Sequence, residues 1–336
     1  MSVAPAEISI ALTMFRRLDF MAAALDSAVR QTLPVNVWVQ DDGCDRPAEV
    51  QRLLTAAPRP VGYRRNPQPR GIFGNMNAAL AACPTPWLSI LHDDDLLASD
   101  FVARLVNVAA AAPGAALYFG GTIFIDAQGR RLRERGLPRG EAWRRVSPET
   151  FAHGNQFPFP GQLIHVPTAR ALGGFPTHAP FTGDWDLWFR LALAGGAVQV
   201  GAPLARYRCH TCDRVTTEMQ RAGRTVPACI VQTRVNLARL RATGRPACFD
   251  RQRFLQEHPL RARDILLVAG SWSRRALRYH RQMLLRSRFT SRNERWLRLW
   301  SRVTGDRGLR LLSRIWLFTR SPGMRLPAGS RRAVSL

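Results

Sequence analysis

Trp87-Leu88-Ser89-Ile90-Leu91-His92-Asp93-Asp94-Asp95 is the stretch on which the reading of this chain turns. An apolar, strand-like segment runs directly into three consecutive carboxylates. Like charges this close repel, so a fold gains little from such a cluster unless a cation sits among them. Strand ends are also where open α/β sheets bind their ligands. The stretch therefore points to a divalent metal and, beyond it, a phosphate-bearing substrate. Taken alone it serves equally well as a solvated turn capping a helix that starts near Ser99.

The flanking sequence alternates between strand and helix patterns. Ile8 to Met14, Val35 to Val39, Val61 to Tyr63 and Trp87 to Leu91 read as strands. Leu18 to Arg30, Pro47 to Ala56, Ile72 to Ala82 and Phe101 to Ala112 read as the helices between them. Such alternation predicts an α/β fold with a mostly parallel central sheet covered by helices on both faces. Ala116 to Asp126 and Gln162 to Val166 read as further strands, and Asp184 to Ala194 as a helix. Ala197 to Val200 and Leu204 to Tyr207 read as two short strands, while Arg130 to Pro160 reads as irregular.

Beyond about residue 215 the strand patterns stop and the composition shifts. The 336-residue chain carries a formal net charge of +25, and all 49 of its basic side chains are Arg. Residues 1–210 account for +4 of that charge and residues 211–336 for +21. The division predicts a catalytic domain over 1–215 and a basic, mainly helical extension over 216–336. A basic tail of this kind fits an anionic partner: a membrane surface, a nucleic acid or a polyanionic substrate. In the tail, Trp296, Leu299, Trp300 and Val303 interleave with Arg295, Arg298 and Arg302. That is a pattern an interfacial helix uses on an anionic membrane, with ordinary helix packing as the second reading. No uninterrupted apolar run approaches the ~18–20 residues of a membrane span. The N-terminus has no basic region ahead of a hydrophobic stretch, so no secretory signal is read. The default location is cytoplasmic, with peripheral attachment to the inner face of the membrane through the tail. The six cysteines form no dense framework. Cys209 and Cys212 frame a single Cys-x-x-Cys around His210, a weak indication of zinc.

Three other segments carry chemistry. Asp41-Asp42-Gly43 closes the second strand, where a carboxylate accepts hydrogen bonds from a base or a ribose, or else caps a turn. Arg70-Gly71-Ile72-Phe73-Gly74-Asn75-Met76-Asn77 opens a helix whose N-terminus favours an anion. Gly183-Asp184-Trp185-Asp186-Leu187-Trp188 places two carboxylates at a helix start, for chemistry or for capping. Trp185 and Trp188 offer a stacking face for a sugar, although Leu191, on the same helical face, makes packing the better reading of Trp188.

Together with Thr13, Gln31-Thr32-Leu33-Pro34, Asn66, Leu172-Gly173-Gly174-Phe175 and Tyr207-Arg208-Cys209-His210, these segments resemble the family-two glycosyltransferases of the A-type, Rossmann-like fold. The resemblance runs over about residues 8–210. It implies an inverting, metal-dependent enzyme that moves a sugar from a nucleoside-diphosphate donor, UDP above all, to a hydroxyl of a cell-surface polysaccharide or lipid-linked glycan. It further implies that Thr13 and Asp41 or Asp42 contact the base, that Arg70 and Asn77 lie along the nucleotide, and that Asp93 holds the ribose. Asp94, supported by Asp95, would hold Mn²⁺ or Mg²⁺, with His210 approaching the metal or the diphosphate. Asp184 matches the general base. Asp186 is the alternative, because Gly183 stands where the family usually has Glu. A nucleotidyltransferase on a similar fold would carry a Gly-rich basic loop after the first strand, and Thr13-Met14-Phe15-Arg16-Arg17 has no Gly. A nucleic-acid-binding protein would leave the acidic triplet unexplained, so nucleic acid is an unlikely partner on this reading.

Overall fold

A computed structural model describes residues 3–138, 140–179, 181–209, 219, 224–250, 253–254, 281 and 292–320. The chain divides into two compact units, Met1–Cys212 with Cys229–Asp250, and Asp213–Ala228 with Arg251–Leu336.

The first unit is built on β1 (Ile8–Met14), whose seven residues are all buried. An all-buried run of this kind marks a central strand with helices on both faces. Ile8, Ile10, Leu12 and Met14 point into one apolar layer, where α1 (Met21–Val29), α2 (Pro47–Thr55) and α4 (Phe101–Ala111) pack. Ala11 faces the opposite layer, formed with α3 (Gly71–Ala82), α5 (Pro148–Phe151), α6 (Val166–Ala171) and α7 (Gly183–Gly195).

Parallel pairing joins β1 to β2 (Asn36–Asp41) on one side and to β4 (Trp87–His92) on the other, with β3 (Gly62–Arg65) beyond β2. The sheet order is β3-β2-β1-β4-β9-β6-β10-β5. The chain steps outward from β1 to β3 and then returns to the far side of β1. The gap between the carboxyl ends of β1 and β4 is therefore the topological switch point, where open α/β sheets take ligands.

The second half of the sheet is mixed. β9 (Gln162–His165) runs antiparallel to both β4 and β6 (Leu117–Ile125). β10 (Ala197–Arg208) is parallel to β6 and antiparallel to the two-residue β5 (Leu96–Leu97). The two short strands read from the sequence over this last stretch are one strand, with register shifts around Pro203. The region read as irregular contains β7 (Arg131–Arg135), paired with β6, and β8 (Trp143–Val146), paired with β10. Both are exposed and Arg-rich, so no alternation of apolar residues announces them.

α8 (Thr225–Ala242) lies beyond the boundary expected at residue 215, yet most of it belongs to the first unit. Leu237 and Leu240 are part of the layer beneath α7. In the second unit, α9 (Arg292–Arg320) is broken at Gly305, whose φ of 63° is left-handed. Trp296, Leu299 and Val303 are exposed along one face before this break, and Trp296 stacks on Trp300 with 5.4 Å between ring centroids. No helix among the described residues is long and apolar enough to cross a membrane.

Gln162 completes the sheet where β9 is too short to do so. β9 pairs with β4 at Trp87 and Leu88. Two residues further on, the Gln162 amide takes over: Nε2 donates to the Ile90 carbonyl at 2.9 Å, and Oε1 accepts from the Ile90 N–H at 3.2 Å. The side chain is fully buried. Gln162→Leu should leave two buried backbone groups without partners and cost about 2–4 kcal/mol, read as a lower urea midpoint at unchanged slope.

Candidate active site

The β1–β4 register places Thr13 opposite His92, and the β1–β2 register places Met14 opposite Asp41. Thr13, Asp41 and the acidic triplet thus reach one edge of the sheet together. Thr13 Oγ1 lies 3.0 Å from His92 Nδ1, and the His92 ring stacks on Phe159 with 4.3 Å between centroids.

The three carboxylates of the triplet are not equivalent. Asp95 Oδ1 accepts the Arg208 backbone N–H at 2.9 Å, and the residue is 1% exposed. Through this oxygen Asp95, expected to support the metal ligand, braces the end of β10. Arg208 Nε donates to the Asp94 carbonyl at 2.9 Å, which fixes the turn from behind. Asp93 and Asp94 turn to the other side. Arg17 Nη2 donates to Asp93 Oδ1 at 2.6 Å and lies 3.0 Å from Asp94 Oδ2. Burial lowers the affinity of Arg17 for its proton, but Asp93 and Asp94 outweigh this and hold the pKa above its ordinary value.

Among the described residues, no group of three or more His, Cys, Asp or Glu forms a ready-made metal cage. His210 and Cys212 lie outside the described residues. The donor set nevertheless fits a hard divalent ion. Two carboxylates from adjacent residues already converge on one cationic nitrogen, and oxygens of a bound diphosphate would complete the coordination.

The acidic pair after β2 is structural in its contacts. Asp41, fully buried, accepts the Gly43 and Cys44 N–H groups through Oδ1 and the Tyr63 hydroxyl through Oδ2. Burial first, then Asp41, pushes the Tyr63 phenol up to about 12. Asp42 accepts the Arg70 and Gly71 N–H groups at 2.8 and 2.9 Å and the Asn66 amide at 2.7 Å. It thereby satisfies backbone donors at the start of α3, which have no partner within the helix. On each carboxylate Oδ2 accepts one of these bonds and keeps a second acceptor position. Asn77, expected along the nucleotide, is engaged elsewhere: its amide exchanges two 2.8 Å hydrogen bonds with the Phe175 backbone. The positive φ of Gly174 permits this close approach, because a Cβ there would collide with Asn77 Oδ1. Arg70 is exposed at the mouth of the crevice, as is Phe15, which sequence reasoning did not single out. The Phe15 ring lies beside Gly43, and the Arg16 guanidinium sits 4.7 Å above that ring.

The two carboxylates of α7 separate cleanly. Asp186 lies in a buried ionic cluster, 2.6 Å from Arg190 Nε and 2.5 Å from Arg239 Nη1, and it accepts the Gln232 amide at 2.9 Å. Arg190 also donates to the Leu172 and Gly174 carbonyls. The cluster ties α7 to α8 and to the turn after α6. Asp184 is partly buried. Its Oδ1 accepts the Trp185 N–H at 2.7 Å and its Oδ2 the Asn155 amide at 2.9 Å. Burial pushes the carboxyl up to about 6 in spite of these donors, and its charge reaches the buried Cys229 thiol of α8. Burial and the Asp184 charge push that thiol up to about 12, so it stays protonated beside the carboxylate. Trp185 and Trp188 are both core: Trp185 donates its indole N–H to the Phe151 carbonyl, and Trp188 is fully buried among Phe157, Phe159 and Phe175. Gly183 also has a physical reason. A Cβ there would lie 2.6 Å from the Phe73 ring, which stacks on Phe175.

The parallel half-sheet, the switch-point crevice and the carboxylates at its mouth define a Rossmann-like fold of the A-type glycosyltransferase class. Residues 9–171 match the model of glycosyl transferase family 2, and the chain carries a domain of that family. An uncharacterized glycosyltransferase of Rickettsia felis (strain ATCC VR-1525 / URRWXCal2) is 23% identical over 192 residues, 55% of this chain and 31% of the relative. The succinoglycan biosynthesis protein ExoO of Rhizobium meliloti (strain 1021) is 30% identical over 132 residues, 38% of this chain and 36% of the relative. The chain thus spans about a third of the length of these curated relatives. Among solved structures, S. aureus TarS 1-349 in complex with UDP-GlcNAc superposes with a TM-score of 0.53 at 11% identity, over 93% of this chain and 92% of that one. The mannosyltransferase PcManGT from Pyrobaculum calidifontis, in complex with GDP-Man and Mn²⁺, gives 0.52 at 16%, over 93% and 86%. At such identities these likenesses speak for the fold. Asp184 and Asp186 lie beyond the segment matched by the family model.

The different surroundings of Asp184 and Asp186 give opposite expectations for stability. Asp186→Ala leaves Arg190 and Arg239 without their carboxylate and should cost about 3 kcal/mol. The folded-state pKa of Asp184 is raised, so its contribution to stability is full in acid and is lost as pH rises through about 6. Asp184→Asn removes that liability and should be neutral or stabilising by about 1 kcal/mol at pH 7. Thermal melts of the two variants at pH 5 and pH 8 check both signs.

Proposed function

We propose that this protein is an inverting glycosyltransferase that uses a nucleoside-diphosphate sugar, with UDP as the nucleotide, and a hydroxyl-bearing glycan acceptor. The observation that carries the reading is the convergence of Asp93 and Asp94 at the β1/β4 switch point within a family 2 domain. The UDP-GlcNAc and GDP-Man complexes of the two structural neighbours support a nucleotide-sugar donor, and ExoO supports a polysaccharide acceptor.

In this reading the donor lies across the carboxyl ends of β1 and β4. Its base sits near Thr13 and Phe15, and its diphosphate faces Arg70 and the acidic turn. Asp93, expected at the ribose, would share with Asp94 the holding of Mn²⁺ or Mg²⁺, because both carboxylates meet at one Arg17 nitrogen; the ion, when bound, would neutralise charge on the departing diphosphate. Asp184 takes the proton from the acceptor hydroxyl as that oxygen bonds to the anomeric carbon. The bond from that carbon to the phosphate oxygen breaks on the opposite face, inverting the configuration and releasing the nucleoside diphosphate. Asn155 and the Trp185 N–H hold the carboxylate in place, and Asp186 fixes the helix that presents it. The exposed face of Trp296, Leu299 and Val303, beside the exposed Arg302, supports an anionic membrane surface as a second partner for lipid-linked substrates.

Thermal-shift measurements with nucleoside diphosphates should give stabilisation by UDP that is enlarged by Mn²⁺; stabilisation by GDP alone would move the donor assignment. Asp94→Ala should lose that metal-dependent increment together with transfer. Asp184→Asn should keep UDP binding and lose transfer by about 10²–10⁴-fold. In the unmodified protein kcat/KM should rise with pH through about 6 and level off above it, because only the ionised carboxylate accepts the proton. A flat profile from pH 5 to 8 would remove Asp184 from the role of base.

A further inference from the structure

The loop between β1 and α1 sends Arg17 across the switch-point crevice, where a single nitrogen, Nη2, touches one oxygen of Asp93 and one of Asp94. The side chains of both carboxylates are 9% exposed, that of Arg17 is 26% exposed, and its loop has no regular structure. A divalent ion held by these two carboxylates would need the oxygens that Nη2 now occupies. Nη2 already stands at 2.6 and 3.0 Å from them, so guanidinium and metal cannot occupy the position together.

The charges lead to the same exclusion. The triplet carries three negative charges, and the Arg17 and Arg208 guanidinium groups beside it carry two positive ones. Among the described residues these two guanidinium groups offset most of the triplet's charge. A divalent ion entering alone would have to expel Arg17 into water or leave surplus positive charge in a half-buried site. A diphosphate arriving with the ion changes this, because its oxygens offer the released guanidinium a new anionic partner that suits its planar fork.

Resting on the metal-assisted reading above, we propose that Arg17 is a resident counter-cation that keeps divalent metal off Asp93 and Asp94 until a nucleoside diphosphate arrives, and then moves to the phosphates. Metal and nucleotide thereby bind with positive coupling, and Arg17 is the residue that sets it. Its role is one of gating and positioning, exercised through the two carboxylates.

Mn²⁺ binding is the direct readout, followed by the electron paramagnetic resonance of free Mn²⁺ with the full-length protein, with and without UDP. The unmodified protein should bind Mn²⁺ at least about tenfold more tightly with UDP than without, within the usual range of coupling between two ligands. Arg17→Gln should tighten Mn²⁺ binding in the absence of UDP by about tenfold and reduce the coupling towards one. Arg17→Lys, which keeps the charge, should still exclude the metal. Adding Asp94→Asn to Arg17→Gln should abolish the gained binding, which places it at this turn. Unchanged Mn²⁺ affinity in a folded Arg17→Gln protein would overturn the proposal, and so would a Lys variant that binds metal as readily as the Gln variant. Failure of the donor reading has a separate signature: no nucleoside diphosphate would stabilise the unmodified protein, while the effect of Arg17 on Mn²⁺ alone would still be measurable.

Discussion

The parallel pairing of β1 with β4 is the constraint from which the site follows. It sets Thr13 level with His92, so the chain leaves both strands at the same height. Arg17 and Asp93 are 76 residues apart in sequence, and this register alone brings them within 2.6 Å. The strand order makes this the topological switch point, since the connections on either side of β1 run to opposite directions of the sheet. Behind the gap, Arg208 at the end of β10 holds the acidic turn through Asp95 and the Asp94 carbonyl.

A second framework positions the carboxylates of α7. His92, Phe159, Trp188, Phe175 and Phe73 form a continuous set of ring contacts from the end of β4 to the start of α7. Close-packed aromatic layers resist small displacements, so the acidic turn and the α7 helix start are mechanically connected. The Asp186 cluster fixes α8 against the same helix. An ionic cluster of this kind contributes through geometry more than through net stability, because desolvation offsets much of the attraction. It holds the helix start that presents Asp184 two residues away.

The first half of the sheet was legible because its strands are buried on both faces and read as apolar runs between helical periods. β1 and α3 fall almost where the pattern places them. The acidic turn and the two-carboxylate start of α7 were legible as segments, since unusual charge beside a strand or helix end stands out. Their internal division was not. Nothing in three successive Asp codes tells that one faces inward to a backbone N–H, and the equal spacing of Asp184 and Asp186 conceals which one meets Arg239 from a helix more than fifty residues later. Asn77 is the opposite case: its place in the segment that opens with Arg70 and Gly71 suggests a ligand, but its partner is the backbone after a double glycine. β7 and β8 were hidden because strands at the rim need no apolar face.

That rim has a consequence of its own. β3, β7 and β8 carry Arg64, Arg65, Arg131, Arg133, Arg135, Arg144 and Arg145 on strands that are exposed almost throughout. Unpaired strand margins invite the margin of another molecule, and charge is a common deterrent. Here every cationic group is a guanidinium, in a chain without a single Lys. Guanidinium holds its proton through any alkalinity a cell reaches, whereas an ammonium gives way near its pKa of about 10.4. Mutual repulsion between sheet borders should therefore persist in strongly basic solution. Salt would weaken it, and so would polyanions that bridge one border to the next.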